Sequence, residues 1–441
     1  MEKQKAGVPI RLWPLIPMAI TVGVLAALFV LGFRRVIETS QRLFLPYGIV
    51  GNYEALTMPL RFAIPVLGGI VLAFLFSRIP RERWHVGIVY VMSRLNTPGG
   101  ISLPLSQAIF QFFAGVLAIV SGHSVDREGP SVHLGAAMGN AFARLCKINP
   151  AEIHLLTMTG VAAGMAAALN TPLTGVVFVL EVMGETLAPR KLLAVLTGSV
   201  TAAVLGRLAY GAEPAFAVPA LDLAAGEEFL WIILLGMVIG LLAAAAINSV
   251  ERVSRYMQGK SPWLIFTLAG LCTATLGLFS PHILGVSYDT VGALLQGHVL
   301  ETALASLVVF KLMATIICIG CGVPGGLIGP SLVIGGAAGG LAGKMIAGIS
   351  VHSVGSVGFY AMTGMCAMLG VMLAAPLTAV TALFELTGDL HLILAGMLAL
   401  IAADSICWSM LGTASVFQHM LAVMPGSQRG QDHGADARDR K

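Results

Sequence analysis

The stretch MTGVAAGMAAALNTPLTGVVFVLEVMGE at residues 158–185 recurs later in the chain as MTGMCAMLGVMLAAPLTAVTALFELTGD at residues 362–389. Met-Thr-Gly, Pro-Leu-Thr, one glutamate and a Gly-acid pair match at an offset of 204. A second match, Gly-Pro-Ser at 129–131 and 329–331, precedes them at an offset of 200. Two matches in the same order indicate an internal repeat, and repeats interrupted at matching places are typical of transporters.

The composition places the chain in a membrane. Of its 441 residues, 57% are apolar and 11% are charged, against about 25% charged in a typical soluble domain. A soluble core could not enclose that much apolar surface, and exposed apolar patches of this size cause aggregation. We therefore predict an all-α polytopic protein in the lipid bilayer, and we exclude a soluble enzyme and a disordered scaffold. The net charge of +4 is too small to indicate a nucleic-acid partner.

The repeat predicts two halves, residues 11–210 and 226–425, followed by a polar tail at 427–441 that we expect to be disordered. Charge-free stretches long enough to span a membrane recur in both halves. Several contain Gly and Pro, as at Pro98-Gly99-Gly100 and Val323-Pro324-Gly325, which predicts helices that end inside the membrane. Backbone is tolerated there only where it is buried in protein or lines a cavity. We therefore expect the functional site at the interface between the halves.

The segment SGHSVDREGP at 121–130 separates two apolar runs, and its Gly and Pro mark the start of a helix. The first turn of a helix has unpaired N–H groups and the positive end of the helix dipole, which together favour an anion. Glu128 lies at this start, where its carboxylate can take the anion's place until protonation or an arriving anion displaces it. The alternative is that Glu128 caps a helix at the water interface. The segment GVPGGLIGP at 322–330 occupies the matching place in the second half and favours an anion between two convergent helix starts.

Other ionisable residues in apolar runs are weaker candidates. Glu181 and Glu385 recur at equivalent positions, which favours a shared structural role, such as pairing at helix ends, over a proton relay. Lys311 and Asp404 are functional candidates because charge inside a membrane is costly, although near a helix end either could extend to the interface. We predict no metal and no cofactor, because the remaining candidates show no ligand set with metal-binding spacing: His85, His123, His133, His154, Cys318 and Cys321.

These segments resemble the CLC family of chloride channels and proton-coupled chloride transporters. Arg127-Glu128-Gly129-Pro130 is similar to the end of the family's GREGP motif, and residues 325–330 are similar to its GGxFxP motif. The Pro-Leu-Thr segments at 172–174 and 376–378, each followed by an apolar run and a glutamate, also resemble family sequence. The resemblance covers the chain from about 60 to 420, and the two motifs together with the repeat make it specific.

The resemblance implies a CLC-type fold of two inverted repeats of tilted and broken helices, assembled as a homodimer with one pore in each subunit. It implies that Glu128 is the external gating glutamate and that backbone N–H groups of Leu327 and Ile328 line the central anion site. The N–H groups of Arg127, Glu128 and Gly129 would line the external site. The transported ligand would be chloride or another small anion.

The sequence departs from the family pattern at four positions. The serine and the tyrosine whose hydroxyls touch the anion fall on Val86 and Phe417, the first glycine of GREGP is Asp126, and the internal proton-transfer glutamate falls on Val182. A hydrogen bond to a charged group contributes about 1.5–3 kcal/mol. Two missing hydroxyls therefore weaken the expected chloride binding unless water or His85 takes their place.

Three functions stay open at this point. We favour anion transport gated by Glu128, by channel-like or proton-coupled movement, with Glu181 or Glu185 completing a proton pathway in the coupled case. The first alternative is a proton-coupled exchanger of a different anion, and the second is a non-transporting membrane scaffold. An enzyme is not favoured, because no nucleophile–base pair stands out. The lack of a large soluble C-terminal domain resembles bacterial members, so we expect a multi-pass protein of the plasma membrane, here the bacterial inner membrane.

Overall fold

The computed structural model describes residues 12–95, 101–214, 216, 228–296, 301–349, 355–412 and 415–424. Within these ranges the chain is helical, and its β-type pairing is limited to one isolated bridge between Asp126 and Gly326. The helices are α1 (Leu12–Phe44), α2 (Met58–Ser77), α3 (Gly87–Leu95), α4 (Leu105–Val120), α5 (Glu128–Leu145), α6 (Pro150–Leu169), α7 (Pro172–Glu181), α8 (Pro189–Tyr210), α9 (Glu228–Met257), α10 (Pro262–Phe279), α11 (Tyr288–Leu295), α12 (Glu301–Gly320), α13 (Ile328–Ile349), α14 (Val357–Leu373), α15 (Pro376–Thr387), α16 (Leu392–Leu411) and α17 (Val416–Val423). The interruption expected at Pro98-Gly99-Gly100 and the polar tail at 427–441 lie outside the described residues.

The helices follow the same order twice. The first eight, α1–α8, match α9–α16 in sequence of long and short members, and α17 follows them. In the described part of the chain, nine helical segments are long and apolar enough to cross a membrane. Shorter apolar helices, among them α4, α7, α14 and α15, lie between them. The chain therefore combines full spans with partial ones, as the Gly and Pro interruptions predict.

Two of the breaks fall at equivalent places in the two halves. The short helices α7 and α15 begin with Pro172 and Pro376, since proline fits the first turn and has no N–H to satisfy. The preceding helices α6 and α14 end on Asn170 and Ala374, whose φ angles of 61° and 49° are left-handed. A left-handed residue closes a helix and turns the chain away from its axis.

Glycines set the close packing of α5 on α6 and of α13 on α14. A Cβ built on Gly135 would collide with the carbonyl oxygen of Gly160, and one built on Gly335 would collide with that of Gly364. The matching sites lie 200 residues apart on α5 and α13. The overlapping Gly-x-x-x-Gly spacing on α13 thus serves helix packing, and it brings these two helices deep into the molecule.

The two halves also cap each other's broken helices. The Glu181 carboxylate accepts hydrogen bonds from the backbone N–H groups of Leu377 (2.9 Å) and Thr378 (2.6 Å) at the start of α15. In the same way, Glu385 accepts from the N–H groups of Leu173 (2.9 Å) and Thr174 (2.7 Å) at the start of α7. Each threonine hydroxyl donates a further bond to the same carboxylate. A carboxylate at a helix N-terminus satisfies its unpaired donors and its dipole, so these residues hold the two halves together.

We expect Gly339→Ala to destabilise the protein and Gly348→Ala, on the same helix, to leave it as stable or slightly more stable. A Cβ at Gly339 would collide with the Tyr360 carbonyl, whereas one at Gly348 would have no neighbour within 4 Å. Overpacking costs about 1–3 kcal/mol, while replacing a helical glycine with alanine otherwise gains about 0.5–1 kcal/mol. Thermal unfolding of the detergent-solubilised variants measures both effects. Equal melting temperatures would contradict the packing role of Gly339.

Candidate functional site

The helix starts of α5 and α13, one from each half, meet in the interior. The N–H of Asp126 donates to the carbonyl of Gly326 at 3.1 Å, and the N–H of Gly326 donates to the carbonyl of Asp126 at 3.2 Å. Glycine is required at this crossing, because a Cβ on Gly129 would lie 2.7 Å from the Cα of Gly326. The first-turn N–H groups of two helices are thereby directed at one region, which is an arrangement that favours an anion.

Glu128 is the first residue of α5 and is fully buried. Neither of its carboxylate oxygens has a hydrogen-bond partner among the described residues. Its ion-pair neighbour is Arg127, whose Nε lies 3.5 Å from Oε1. The Arg127 guanidinium also lies 3.9 Å from Glu38 and 5.5 Å from the ring of Tyr288. A buried carboxylate without hydrogen bonds is costly, so its presence at this helix start favours a functional role over capping at a water interface.

A cavity of about 240 Å³ extends from these helix starts. It is lined by residues from the starts of four helices: Gly87 of α3, Gly129 of α5, Leu327 before α13 and Phe417 of α17. Within the described part of the chain, Arg81 is the only Asp, Glu, Lys or Arg residue that lines this cavity. The lining therefore combines helix N-termini with apolar side chains and a single cation, and it contains no carboxylate that would repel an anion.

The structure brings together most of the predicted anion-site residues. Val86 and Phe417 both line the cavity beside Leu327 and Gly129, although Ile328, which is fully buried, is not part of the lining. Neither Val86 nor Phe417 offers a hydroxyl, so the donors from these elements are backbone N–H groups. His85 also lines the cavity, and burial lowers its pKa. The imidazole is therefore neutral near pH 7 and can donate one N–H there.

The predicted proton-pathway residues lie apart from this cavity. Glu181 is engaged at the start of α15, and neither Glu181 nor Glu185 belongs to the cavity lining. Glu185 contacts His154, with Oε1 2.6 Å from Nε2. Val182, at the position of the family's internal glutamate, is buried and apolar. Among the residues named for this pathway, Glu128 alone lies at the helix crossing.

Lys311 and Asp404 differ in their surroundings. Lys311 is fully buried, and its Nζ donates to the carbonyls of Ile283 (2.9 Å) and Gly285 (2.7 Å) and to the Ser287 hydroxyl (2.8 Å). The idea that Lys311 extends to the interface is wrong, because its ammonium holds the turn before α11 instead. Asp404 is exposed on α16.

Asp126 makes contacts that the sequence reasoning did not anticipate. Its side chain is fully buried, and the carboxylate accepts from the N–H groups of Gly129 (3.1 Å) and Gly329 (2.6 Å). The bond to Gly129 has the spacing of a side-chain cap at a helix start, which was visible in the sequence. The bond to Gly329 comes from the other half of the molecule and carried no local signal.

These features define a multi-pass membrane transport protein in which two repeats direct helix N-termini at one buried site. The chain belongs to the voltage gated chloride channel family, whose model matches residues 68–407. It is 25% identical over 456 residues to an H(+)/Cl(-) exchange transporter, ClcA, from Salmonella paratyphi B, covering 99% of this chain and 94% of that protein.

Solved structures agree with this assignment at the level of the fold. A slow cyanobacterial Cl-/H+ antiporter matches with a TM-score of 0.79 and 19% identity, covering 92% of this chain and 97% of the other. A CLC-type fluoride/proton antiporter matches with a TM-score of 0.78 and 20% identity, covering 94% and 99%. The predicted CLC resemblance and the all-α fold are confirmed. The chain is a member of a family of anion transport proteins, embedded in a membrane, and is not an enzyme.

We expect Glu181→Gln and Glu385→Gln to lower thermal stability by similar amounts. We also expect the two variants to show the same proton movement. Each loses charge-assisted hydrogen bonds to two N–H groups, and such bonds are about twice as strong as neutral ones. Thermal unfolding and pH recording in liposomes provide the two readouts. Asp404→Asn, which removes an exposed carboxylate, is the control. Selective loss of proton movement in Glu181→Gln would instead assign it to a proton pathway.

Proposed function

We propose that the protein moves chloride, or a similarly small anion, across the membrane, with Glu128 as the gate. The observation that carries the proposal is the buried Glu128 carboxylate, which lacks hydrogen-bond partners in the described part of the chain and lies where α5 and α13 direct their first-turn N–H groups. A membrane protein retains such a costly group when its charge or its movement is used. The family membership and the similarity to an H(+)/Cl(-) exchange transporter support the same function.

The proposed path uses backbone donors from both halves. An anion in the cavity would be held by the N–H group of Leu327, which lines the cavity and has no acceptor among the described residues. The N–H groups of Arg127–Gly129, at the start of α5, would bind the anion at the next position along the path. Arg127 offsets the charge of Glu128, and Arg81 at the cavity attracts anions towards it. Protonation of Glu128 would remove the negative charge that opposes a neighbouring anion.

Proton coupling would need a route other than position 182. The Glu185–His154 pair is a better candidate than Glu181, since Glu181 is held by three hydrogen bonds at the start of α15. Both members of the pair are partly exposed, with 33% of the His154 side chain and 19% of the Glu185 side chain accessible. Partial exposure allows the exchange of protons with water, which a fully buried pair would not.

A different anion is the second candidate function. Val86 and Phe417 line the cavity without the hydroxyls that the family pattern would place there. A site that lacks side-chain donors binds chloride less tightly and changes its preference among anions. One structural relative is described as a fluoride/proton antiporter, which shows that this fold serves more than one halide. A non-transporting scaffold is opposed by the buried Glu128 carboxylate, which has no hydrogen-bond partner among the described residues.

A homodimer in the bacterial inner membrane completes the proposal. The adjoining helices α7 and α15, with α8 and α16 beside them, form one surface to which both halves contribute. Its exposed side chains include the apolar Leu173, Leu196, Leu377 and Ile401. This surface fits a second copy of the chain, as the family resemblance implies.

The test is reconstitution of the purified protein in liposomes with an imposed chloride gradient, recording chloride and pH together. Chloride flux that drives protons uphill supports a coupled exchanger, and flux without protons supports a channel-like protein. Absence of flux with chloride, fluoride and nitrate alike would contradict the proposal.

In this assay we expect Glu128→Gln to retain anion flux and to lose its pH dependence or its proton coupling. The amide keeps the size of the side chain but cannot titrate. Glu152→Gln is the matched control, because Glu152 also lies in the first turn of a helix, α6, away from the cavity. Unchanged pH dependence and coupling in Glu128→Gln would remove Glu128 from the gating role.

We expect Val86→Ser and Phe417→Tyr to tighten chloride binding, each by about tenfold or more. A hydrogen bond to a charged group contributes about 1.5–3 kcal/mol, and about 1.4 kcal/mol corresponds to tenfold in affinity. Calorimetric titration with chloride measures the change. Val423→Ser places the same hydroxyl on the same cavity at the other end of α17 and should have little effect. Equal affinities in all three variants would show that anions do not bind beside Val86 and Phe417.

A further inference from the structure

Asp126 places a second buried carboxylate at the crossing of the two halves. Its Oδ1 accepts from the N–H of Gly129 on α5, and its Oδ2 accepts from the N–H of Gly329 on α13. A free anion at this crossing would use the same two donors. The neighbouring Glu128 carboxylate is fully buried and has no hydrogen-bond partner among the described residues. The donors of the crossing are therefore used by Asp126 and not by Glu128.

We propose that Asp126 is a tethered anion that occupies the anion position between α5 and α13, and that it must release the N–H groups of Gly129 and Gly329 before a transported anion can bind there. This inference rests on the proposed function for its meaning in transport. It adds a second titratable residue to the path and makes binding at the crossing depend on the state of Asp126.

The geometry restricts how Asp126 can leave. Its backbone is held by both hydrogen bonds of the bridge to Gly326. Its Cβ lies 2.8 Å from the place where a Cβ on Gly329 would be, so the side chain is enclosed by the second half. With its backbone fixed, Asp126 can leave the donors only by rotation of its side chain. Loss of its charge on protonation is then the available way to weaken both bonds, since hydrogen bonds to an ionised acceptor are about twice as strong.

Charged and titratable groups from several elements face Asp126. Glu128 and Arg127 come from the start of α5, Tyr288 from α11 and Lys311 from α12. The Lys311 ammonium is already held by three acceptors, and Arg127 lies beside Glu128. A charge on Glu128 disfavours a second negative charge on Asp126. Acidification therefore favours release of the donors, and a negative charge on Glu128 favours it as well.

The experiment measures chloride binding to the detergent-purified full-length protein, by calorimetry and by the shift of thermal unfolding in potassium chloride against potassium gluconate. At neutral pH we expect Asp126→Ala and Asp126→Asn to bind chloride about tenfold or more tightly than the wild type. The wild-type affinity should rise on acidification towards that of the variants, whose affinities should change little with pH. Asp289→Asn, which removes an aspartate from the first turn of α11, should behave as the wild type.

The outcomes separate this inference from the proposed function. Equal chloride affinity of the wild type and both Asp126 variants at neutral pH would overturn the inference, even with Glu128-dependent flux intact. A gain of binding in the variants without flux in liposomes would support the inference and contradict the transport proposal. If neither variant folds, the wild type and Glu128→Gln decide. A chloride affinity that rises on acidification in both supports Asp126, and one independent of pH overturns the inference.

Discussion

An unpaired backbone N–H group inside a membrane must find an acceptor, and most of this structure follows from that constraint. Helices that begin in the interior direct several such groups at their neighbours, where no bulk water can satisfy them. In this protein, carboxylate side chains are the acceptors. Glu181 and Glu385 serve α15 and α7, and Asp126 serves α5 and α13. Glu181 and Glu385 each accept from the backbone of the other half, and Asp126 accepts from both halves, so that satisfying the helix starts also joins the two repeats.

The capping of α7 and α15 is symmetric between the two repeats, whereas the capping of α5 and α13 is not. Glu181 and Glu385 are equivalent residues that make equivalent bonds. Asp126 and Gly326 are also equivalent, at an offset of 200, and they pair with each other in the bridge. A side chain at both positions would collide, because a Cβ on Gly326 would meet the Asp126 carboxylate. One carboxylate therefore has to serve both helix starts. A single carboxylate that accepts from both halves can release both helix starts at once when it is protonated. The paired glutamates each cap one helix and are suited to holding the two halves together.

The sequence predicted the repeat, the broken helices and the position of Glu128, because each depends on local patterns of glycine, proline and charge. It also favoured a helix-end role for Glu181 and Glu385, although not that each would cap the opposite half. Lys311 and Asp126 show what could not be predicted from the sequence. Their acceptors and donors lie in other elements, such as Gly285 for Lys311 and Gly329 for Asp126. The Asp126 contact depends on the packing of the two halves, and the Lys311 contacts depend on the packing of elements within the second half. No local sequence pattern encodes either.

Under the proposed function, the departures from the family pattern at positions 86, 126 and 417 all lower the affinity of the site for an anion. Valine and phenylalanine at positions 86 and 417 remove donors from the cavity, and Asp126 uses donors at the crossing. Both changes lower the affinity of the resting site for a free anion at neutral pH. Weak binding does not by itself oppose transport, because an ion must leave a site as well as enter it. A path with few donors, whose remaining N–H groups are covered by a titratable carboxylate, binds its ion when protons are abundant. Of the three residues that weaken the site, Asp126 is the one that can titrate, and under this proposal it makes anion binding depend on pH.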